Sequence, residues 1–295
     1  MRLRDHLPGL SKEHEEPVAC RFPPGHYYSP LPDNRELARE PRRRMLWPER
    51  DRPTPGIDWN EQEQEDLAEV FAQQERLSFV DEETPDPTEY WMRNDQYPAL
   101  DAWVLEGVLR YLRPRQMIEI GSGYSSLVSA RVNREFLSSS MRFTCVEPHP
   151  RGFLQAGVPG ISHLRVEEVQ DTPLELFERL GDGDVLFVDT SHTVKTGGDV
   201  AWIYAEILPR LSPGVVVHIH DAFIPGEYPQ EWVMEGWGWN EIYLIKAFLA
   251  FNSGYRVIFG VRWMLQNRPE LIDRAFPGFR EHRDRGGAAL WLRRA

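Results

Sequence analysis

From residue 116 onward the chain alternates short apolar runs with longer stretches whose apolar residues recur at helical spacing. The runs 116–120, 141–147, 161–166, 184–189, 214–220, 255–259 and 288–292 predict strands, and 125–132, 173–180, 198–211 and 241–251 predict helices between them. Asp184-Val185-Leu186-Phe187-Val188-Asp189 is apolar throughout between two acids. Uninterrupted runs of this kind belong to strands covered on both faces, so the alternation predicts an α/β fold: a mainly parallel sheet with helices on both faces. In such sheets a ligand sits just outside the carboxyl ends of the strands. The residues that follow each run are therefore where chemistry is expected.

Two helical stretches precede the sheet. One carries Leu67, Val70 and Phe71 behind Asp58 or Asn60 as a cap, and the other carries Leu100, Trp103, Val104, Val108 and Leu112 and stops at Pro114. Before them, Pro23-Pro24-Gly25, Pro30-Leu31-Pro32 and Pro53-Thr54-Pro55-Gly56 break every period. The cluster Phe22, His26, Tyr27, Tyr28 is unlike a disordered tail, which is poor in aromatics. The expected organisation is a proline-rich N-terminal extension over 1–57, a helical lead-in over 58–115 and a ligand-binding domain over 116–295.

Composition narrows the function. With 295 residues and 41% hydrophobic content there is material for a large core. A net charge of −12 without a sustained basic run argues against a nucleic-acid partner, which needs a positive surface to displace counterions, and leaves a small-molecule acceptor as the expected partner. Cys20 and Cys145 form neither metal spacing nor a disulfide framework. No apolar run approaches the roughly 18 residues of a membrane span and no export signal is visible, so a cytoplasmic protein without a membrane partner is expected.

The turn after the first strand reads Glu119-Ile120-Gly121-Ser122-Gly123-Tyr124-Ser125. Glycines let backbone approach a ligand closely, and the helix that follows offers free N–H groups. Nicotinamide enzymes share this arrangement but place Gly or Ala where this chain has Ser126, which weakens the reading as a nicotinamide-dependent oxidoreductase. Glu119, at the strand end, can organise the loop and the amino-acid part of a cofactor. Glu147, ending the second strand, can accept both ribose hydroxyls of a nucleoside, and Gln170 follows the third strand where an adenine amino group would lie.

The fourth strand ends Asp189-Thr190-Ser191-His192 and the fifth His220-Asp221. If these strands are neighbours, their ends lie about 5 Å apart, and Asp189, His220 and Asp221 could share a divalent cation, Mg²⁺ or Mn²⁺, with the histidine tilting the set toward Mn²⁺ or Fe²⁺. Hydrogen-bonded polar strand ends without a metal are the alternative. His192, three residues past Asp189, is a candidate general base. His218 is expected to be a core histidine. Lys195 could hold an acceptor carboxylate, and the aromatic stretch with Tyr228, Trp232 and Trp239 could wall an acceptor pocket together with His26 and Tyr28.

The segments Pro23-Pro24-Gly25-His26-Tyr27-Tyr28-Ser29-Pro30, Ile118 to Ser126, Val146-Glu147-Pro148, Asp184 to His192, His218-Ile219-His220-Asp221, Glu227-Tyr228-Pro229 and Leu290-Trp291-Leu292-Arg293 together resemble class I S-adenosylmethionine-dependent methyltransferases, methyltransferase family 24 in particular. The resemblance implies a Rossmann-like seven-stranded sheet with an antiparallel last strand. It implies S-adenosyl-L-methionine held by Glu119, Gly121, Gly123 and Glu147, and the cofactor contacts are expected to extend to Ser122, Tyr124, Ser125, Gln170 and Asp189. Metal-dependent sugar and catechol O-methyltransferases look similar here, with ligands at the positions of Asp189, 220 and 221 and, in the sugar enzymes, a catalytic histidine at the position of His192. His220 departs from them, since an acid is usual there. A non-catalytic cofactor-binding module on the same fold is the alternative from another class; the polar set Asp189, His192 and Asp221 favours an enzyme.

Overall fold

A computed structural model describes residues 20–282 and 287–295. It contains a seven-stranded sheet of β1 (Gln116–Ile120), β2 (Arg142–Val146), β3 (His163–Arg165), β4 (Val185–Val188), β5 (Val216–Ile219), β6 (Tyr255–Gly260) and β7 (Leu290–Arg294), in the spatial order β3-β2-β1-β4-β5-β7-β6. Strands β1 to β5 pair in parallel, and β7 runs antiparallel to both β5 and β6. The expected Rossmann-like sheet with an antiparallel last strand is the one found. The Gly286-Gly287 turn expected before β7 lies partly outside the described residues, as does the extension before residue 20.

β4 and β5 are buried along their whole length, which accounts for their lack of polar alternation. Order reverses between β1 and β4, where the crossover changes direction, and this is where a parallel sheet opens a crevice at its carboxyl edge. The long helix Ala99–Leu112 is buried on every side from Ala99 to Leu109, not only along the stripe that its spacing suggests. Its Asp101 is therefore fully enclosed, a placement that requires partners. Two helices that the sequence reading passed over, Val261–Asn267 and Pro269–Ala275, fill the connection between β6 and β7.

The chain forms two compact units. The larger takes in Glu49–Tyr228 and Trp239–Ala295 and holds the sheet. The smaller combines the described N-terminal residues, 20 to 48, with Pro229–Gly238. Within it, the Asn34 amide donates to the carbonyls of Val233 and Met234 at 3.0 and 3.1 Å, tying the N-terminal segment to the helix Gln230–Glu235. Phe22 stacks on His26 with ring centroids 4.5 Å apart, whereas Tyr27 and Tyr28 stand exposed. Trp232 stacks flat on Trp237 at 4.6 Å. Of the expected acceptor contacts, His26, Tyr28 and Trp232 belong to this unit, and Lys195, Tyr228 and Trp239 to the larger one.

Candidate active site

The turn after β1 is built by its own polar side chains. Ser125 and Ser126 donate to the two oxygens of Glu119 at 2.5 and 2.7 Å, while Gly123 N–H donates to Ser126 Oγ at 3.0 Å. Ser126 thus acts as acceptor and donor at once, which a third glycine could not do. Ser122 N–H donates to Glu147 Oε2 at 3.1 Å, joining the turn to the end of β2. Burial pushes the Glu119 carboxyl up to about 8, against the hydrogen bonds of Ser125 and Ser126. Gly121 has φ +78°, and a Cβ there would lie 1.6 Å from the Asp189 carbonyl oxygen, so only glycine fits between β1 and β4. Over Gly123 an added Cβ would meet no heavy atom within 4 Å. The backbone there is open beside the N-terminus of the helix Tyr124–Phe136.

Glu147 Oε1 accepts from His149 N–H at 2.7 Å and Oε2 from Ser122. A carboxylate has about four lone-pair sites, so two remain for a pair of ribose hydroxyls. Gln170 lies in the short turn after β3 and donates to Gly197 O at 2.9 Å. Tyr124 begins the helix, its ring edge-on to Trp91 at 4.6 Å and under the Arg151 guanidinium at 4.9 Å.

The second half of the site stands at the ends of β4 and β5. Val188 registers with Ile219, so Asp189 and His220 come next, side by side. One step back on the same face, His218 is sandwiched between Phe187 at 3.9 Å and Trp291 at 4.5 Å. Burial holds its pKa well below the ordinary range, as a neutral core histidine. His192 and Asp221 both take left-handed backbone, φ 51° and 49°, which turns each side chain back over the strand ends.

Four donor atoms close a ring there. Asp189 Oδ1 is 3.2 Å from His192 Nε2, which is 3.8 Å from Asp221 Oδ2; His220 Nδ1 lies 3.5 Å from both carboxylates. Donors that share a divalent ion at roughly 2.0–2.2 Å stand about 3.0–3.6 Å apart, so Asp189, His192 and His220 fit a cation, with Asp221, 3.8 Å from His192, at the edge of the set. Asp189, His192 and His220 each offer one atom within 4.8 Å of the others. Burial opposes charge on Asp189, but the adjoining His220 and His192 outweigh it and hold its carboxyl far below the usual range. Burial likewise opposes charge on His192, and Asp189 and Glu241 push it up to about 10.

Two acids that no sequence spacing singled out complete the cluster. Glu241 Oε2 faces His192 Nδ1 at 3.0 Å, and Asp101 Oδ2 faces His220 Nε2 at 3.5 Å. Asp101 also accepts from Ala288 N–H and Ala289 N–H at 3.1 and 3.2 Å. Both acids are fully buried. His192, expected as a free base, has a carboxylate against each ring nitrogen and is only 3% exposed. Tyr228, expected in the acceptor wall, is 2% exposed; it packs on Trp239 at 5.8 Å, and Trp239 on His192 at 4.3 Å. It supports the site from behind. Lys195 is exposed.

Residues 118–222, from β1 to just past β5, match a family described as a methyltransferase domain. An uncharacterized protein of Archaeoglobus fulgidus is 33% identical over 168 residues, covering 54% of this chain and 73% of that protein. Among solved structures, the O-methyltransferase TomG of Streptomyces achromogenes in complex with S-adenosylmethionine is similar over 67% of this chain and 80% of its own, at 18% identity and TM-score 0.40. An O-methyltransferase of Bacillus cereus in complex with S-adenosylhomocysteine is similar over 78% and 89%, at 15% identity and TM-score 0.39. No helix among the described residues is long and apolar enough to cross a membrane. Residues 118–222 of this chain thus form a methyltransferase domain of the class I, S-adenosylmethionine-dependent type.

Proposed function

We propose that the protein transfers a methyl group to a hydroxyl of a small molecule at the mouth formed by Asp189 and Asp221, with a divalent cation assisting. The observation that carries this reading is the closed ring of Asp189, His192, His220 and Asp221 donors at the carboxyl edge, joined to the cofactor turn through the packing of Gly121 on the Asp189 carbonyl.

S-adenosylmethionine supplies an electrophilic methyl group. The residues of this chain bind and orient: Glu147 takes the ribose hydroxyls, and the turn at 121–123 takes the amino-acid part next to Glu119. A hydroxyl attacks sluggishly until its proton leaves, and a cation in the ring would supply positive charge that lowers the hydroxyl's pKa. Asp189 keeps 28% exposure of its side chain, so its second oxygen, Oδ2, can hold and orient the acceptor hydroxyl, but a carboxyl held so far below the usual range is too weak a base to keep its proton, which passes to water. His192, expected as the base, is not free for that role because both imidazole nitrogens are turned to carboxylates.

The test is formation of S-adenosylhomocysteine with a panel of sugars, catechols and other hydroxylated small molecules, with and without EDTA. Turnover that EDTA abolishes and Mn²⁺ or Mg²⁺ restores is expected. Full turnover in EDTA defeats the cation, and cofactor binding with no transfer to any acceptor favours the non-catalytic module.

A further inference from the structure

The two histidines at the ends of β4 and β5 share an arrangement that the acids alone do not explain. Each directs one nitrogen into the donor ring and the other to a buried carboxylate: His192 has Glu241 on Nδ1 at 3.0 Å and His220 has Asp101 on Nε2 at 3.5 Å. A carboxylate on the far nitrogen is the usual companion of a metal-binding imidazole, because it fixes the tautomer and aims the free lone pair. His220 is 2% exposed, and neither of its nitrogens has a hydrogen-bond partner at ordinary distance; its 3.5 Å neighbours stand too far for well-formed bonds. A buried imidazole left so is explained by a ligand on Nδ1.

His192 is held still more firmly. Its carbonyl accepts from Asn240 N–H and Glu241 N–H at 3.0 and 3.1 Å, Asn240 Oδ1 accepts from Val194 N–H at 2.6 Å, and Trp239 packs on the ring. The start of the helix Glu241–Leu249 thus grips residue 192 by both backbone and side chain, fixing Nε2 toward Asp189 and Asp221.

We propose that His192 Nε2 is a ligand, not a base, and that Asp189 Oδ1, His192 Nε2 and His220 Nδ1, with Asp221 Oδ2 beside them, form a two-histidine site selective for a first-row transition-metal ion over Mg²⁺. The inference rests on the cation-assisted reading above. Its chemistry follows from the donors: Mg²⁺ favours oxygen ligands and retains water, whereas imidazole nitrogen suits Mn²⁺, Fe²⁺, Co²⁺ and Zn²⁺. Glu241 and Asp101 are the outer carboxylates that aim the two rings.

Full-length protein stripped with chelator and titrated with Co²⁺ tests this by calorimetry and visible absorption, without need of the acceptor. One Co²⁺ per chain is expected, with a spectrum showing nitrogen ligation, and about a hundredfold excess of Mg²⁺ should fail to displace it. His192→Gln should weaken Co²⁺ by at least about 100-fold and alter the spectrum, and Glu241→Gln should weaken it by about 10- to 100-fold. S-adenosylhomocysteine binding reports that each variant is folded; should His192→Gln fail that control, Glu241→Gln decides. Unchanged Co²⁺ affinity and spectrum in the deciding variant would overturn ligation by His192 while leaving cation assistance standing. Ready displacement by Mg²⁺ would overturn the selectivity. No Co²⁺ binding to wild type, with full methyl transfer in chelator, would instead remove the cation reading itself.

Discussion

The two halves of the carboxyl edge are built on opposite principles. Around β1 and β2, every polar contact that shapes the turn is short: Ser125 and Ser126 on Glu119, Gly123 on Ser126, Ser122 on Glu147. Around β4 and β5 the contacts that close the ring run from 3.2 to 3.8 Å among groups of high charge. The first half is complete in itself; the second gathers four carboxylates and two histidines, of which His192 and Glu241 meet at 3.0 Å while the contacts of the ring itself stay longer. A scaffold that recognises a cofactor by shape can be satisfied beforehand. A cluster that holds a cation must carry unspent electrostatic attraction until the cation arrives.

Four substitutions probe this contrast. Asp101→Ala strikes the charged half hardest, since it leaves His220 and the Ala288 and Ala289 N–H groups facing a void. Thermal or urea unfolding should show a loss of about 3–5 kcal/mol; a change within the range of surface mutations would mean that Asp101 is not needed to balance His220. Gly121→Ala comes next. Left-handed backbone and a Cβ on the Asp189 carbonyl should cost about 2–3 kcal/mol, read in the same unfolding experiment.

Glu147→Ala touches only the shaped half. Titration with S-adenosylhomocysteine should show roughly 10- to 100-fold weaker binding, the worth of hydrogen bonds to a charged group, with little change in fold stability. Equal affinity would place the ribose elsewhere. The smallest effect is a slope. Glu119 titrates near 8 in the folded chain against 4.5 ordinarily, so its contribution to stability is whole below about pH 4.5 and is lost as pH rises through 8. Glu119→Gln should flatten the fall in stability of the cofactor-free protein across that window, and an identical pH profile in wild type and variant would contradict a buried, protonated Glu119.

How far the sequence announces all this differs between the same two halves. The strands and their ends are legible because β4 and β5 are buried on both faces and read as unbroken apolar runs. The pairing of Asp189 with His220 follows once those strands are neighbours. The outer carboxylates were not legible. Asp101 sits on a helix that precedes the whole sheet and reads as one polar position in an amphipathic stripe, and Glu241 reads as an ordinary acid in a first helical turn. Their meaning comes only from tertiary contact. Orientation was hidden too: the spacing of Asp189 and His192 places an imidazole near the mouth, but not that both nitrogens are taken. The helices Val261–Asn267 and Pro269–Ala275 escaped because the first follows β6 at once, with no side-chain cap, and Pro269 breaks the period.

The absent side chain at Gly121 has a further effect. Its Cα rests against the Asp189 carbonyl, so the turn that receives one small molecule and the strand end that gathers charge move as one mechanical piece. A shift of either should be felt by the other without any wire of intervening residues. Occupancy of one side should then alter the affinity of the other, and by thermodynamic reciprocity the coupling in affinity must be equal in both directions. A survey of cofactor analogues on this protein would therefore also test the proposed ion site.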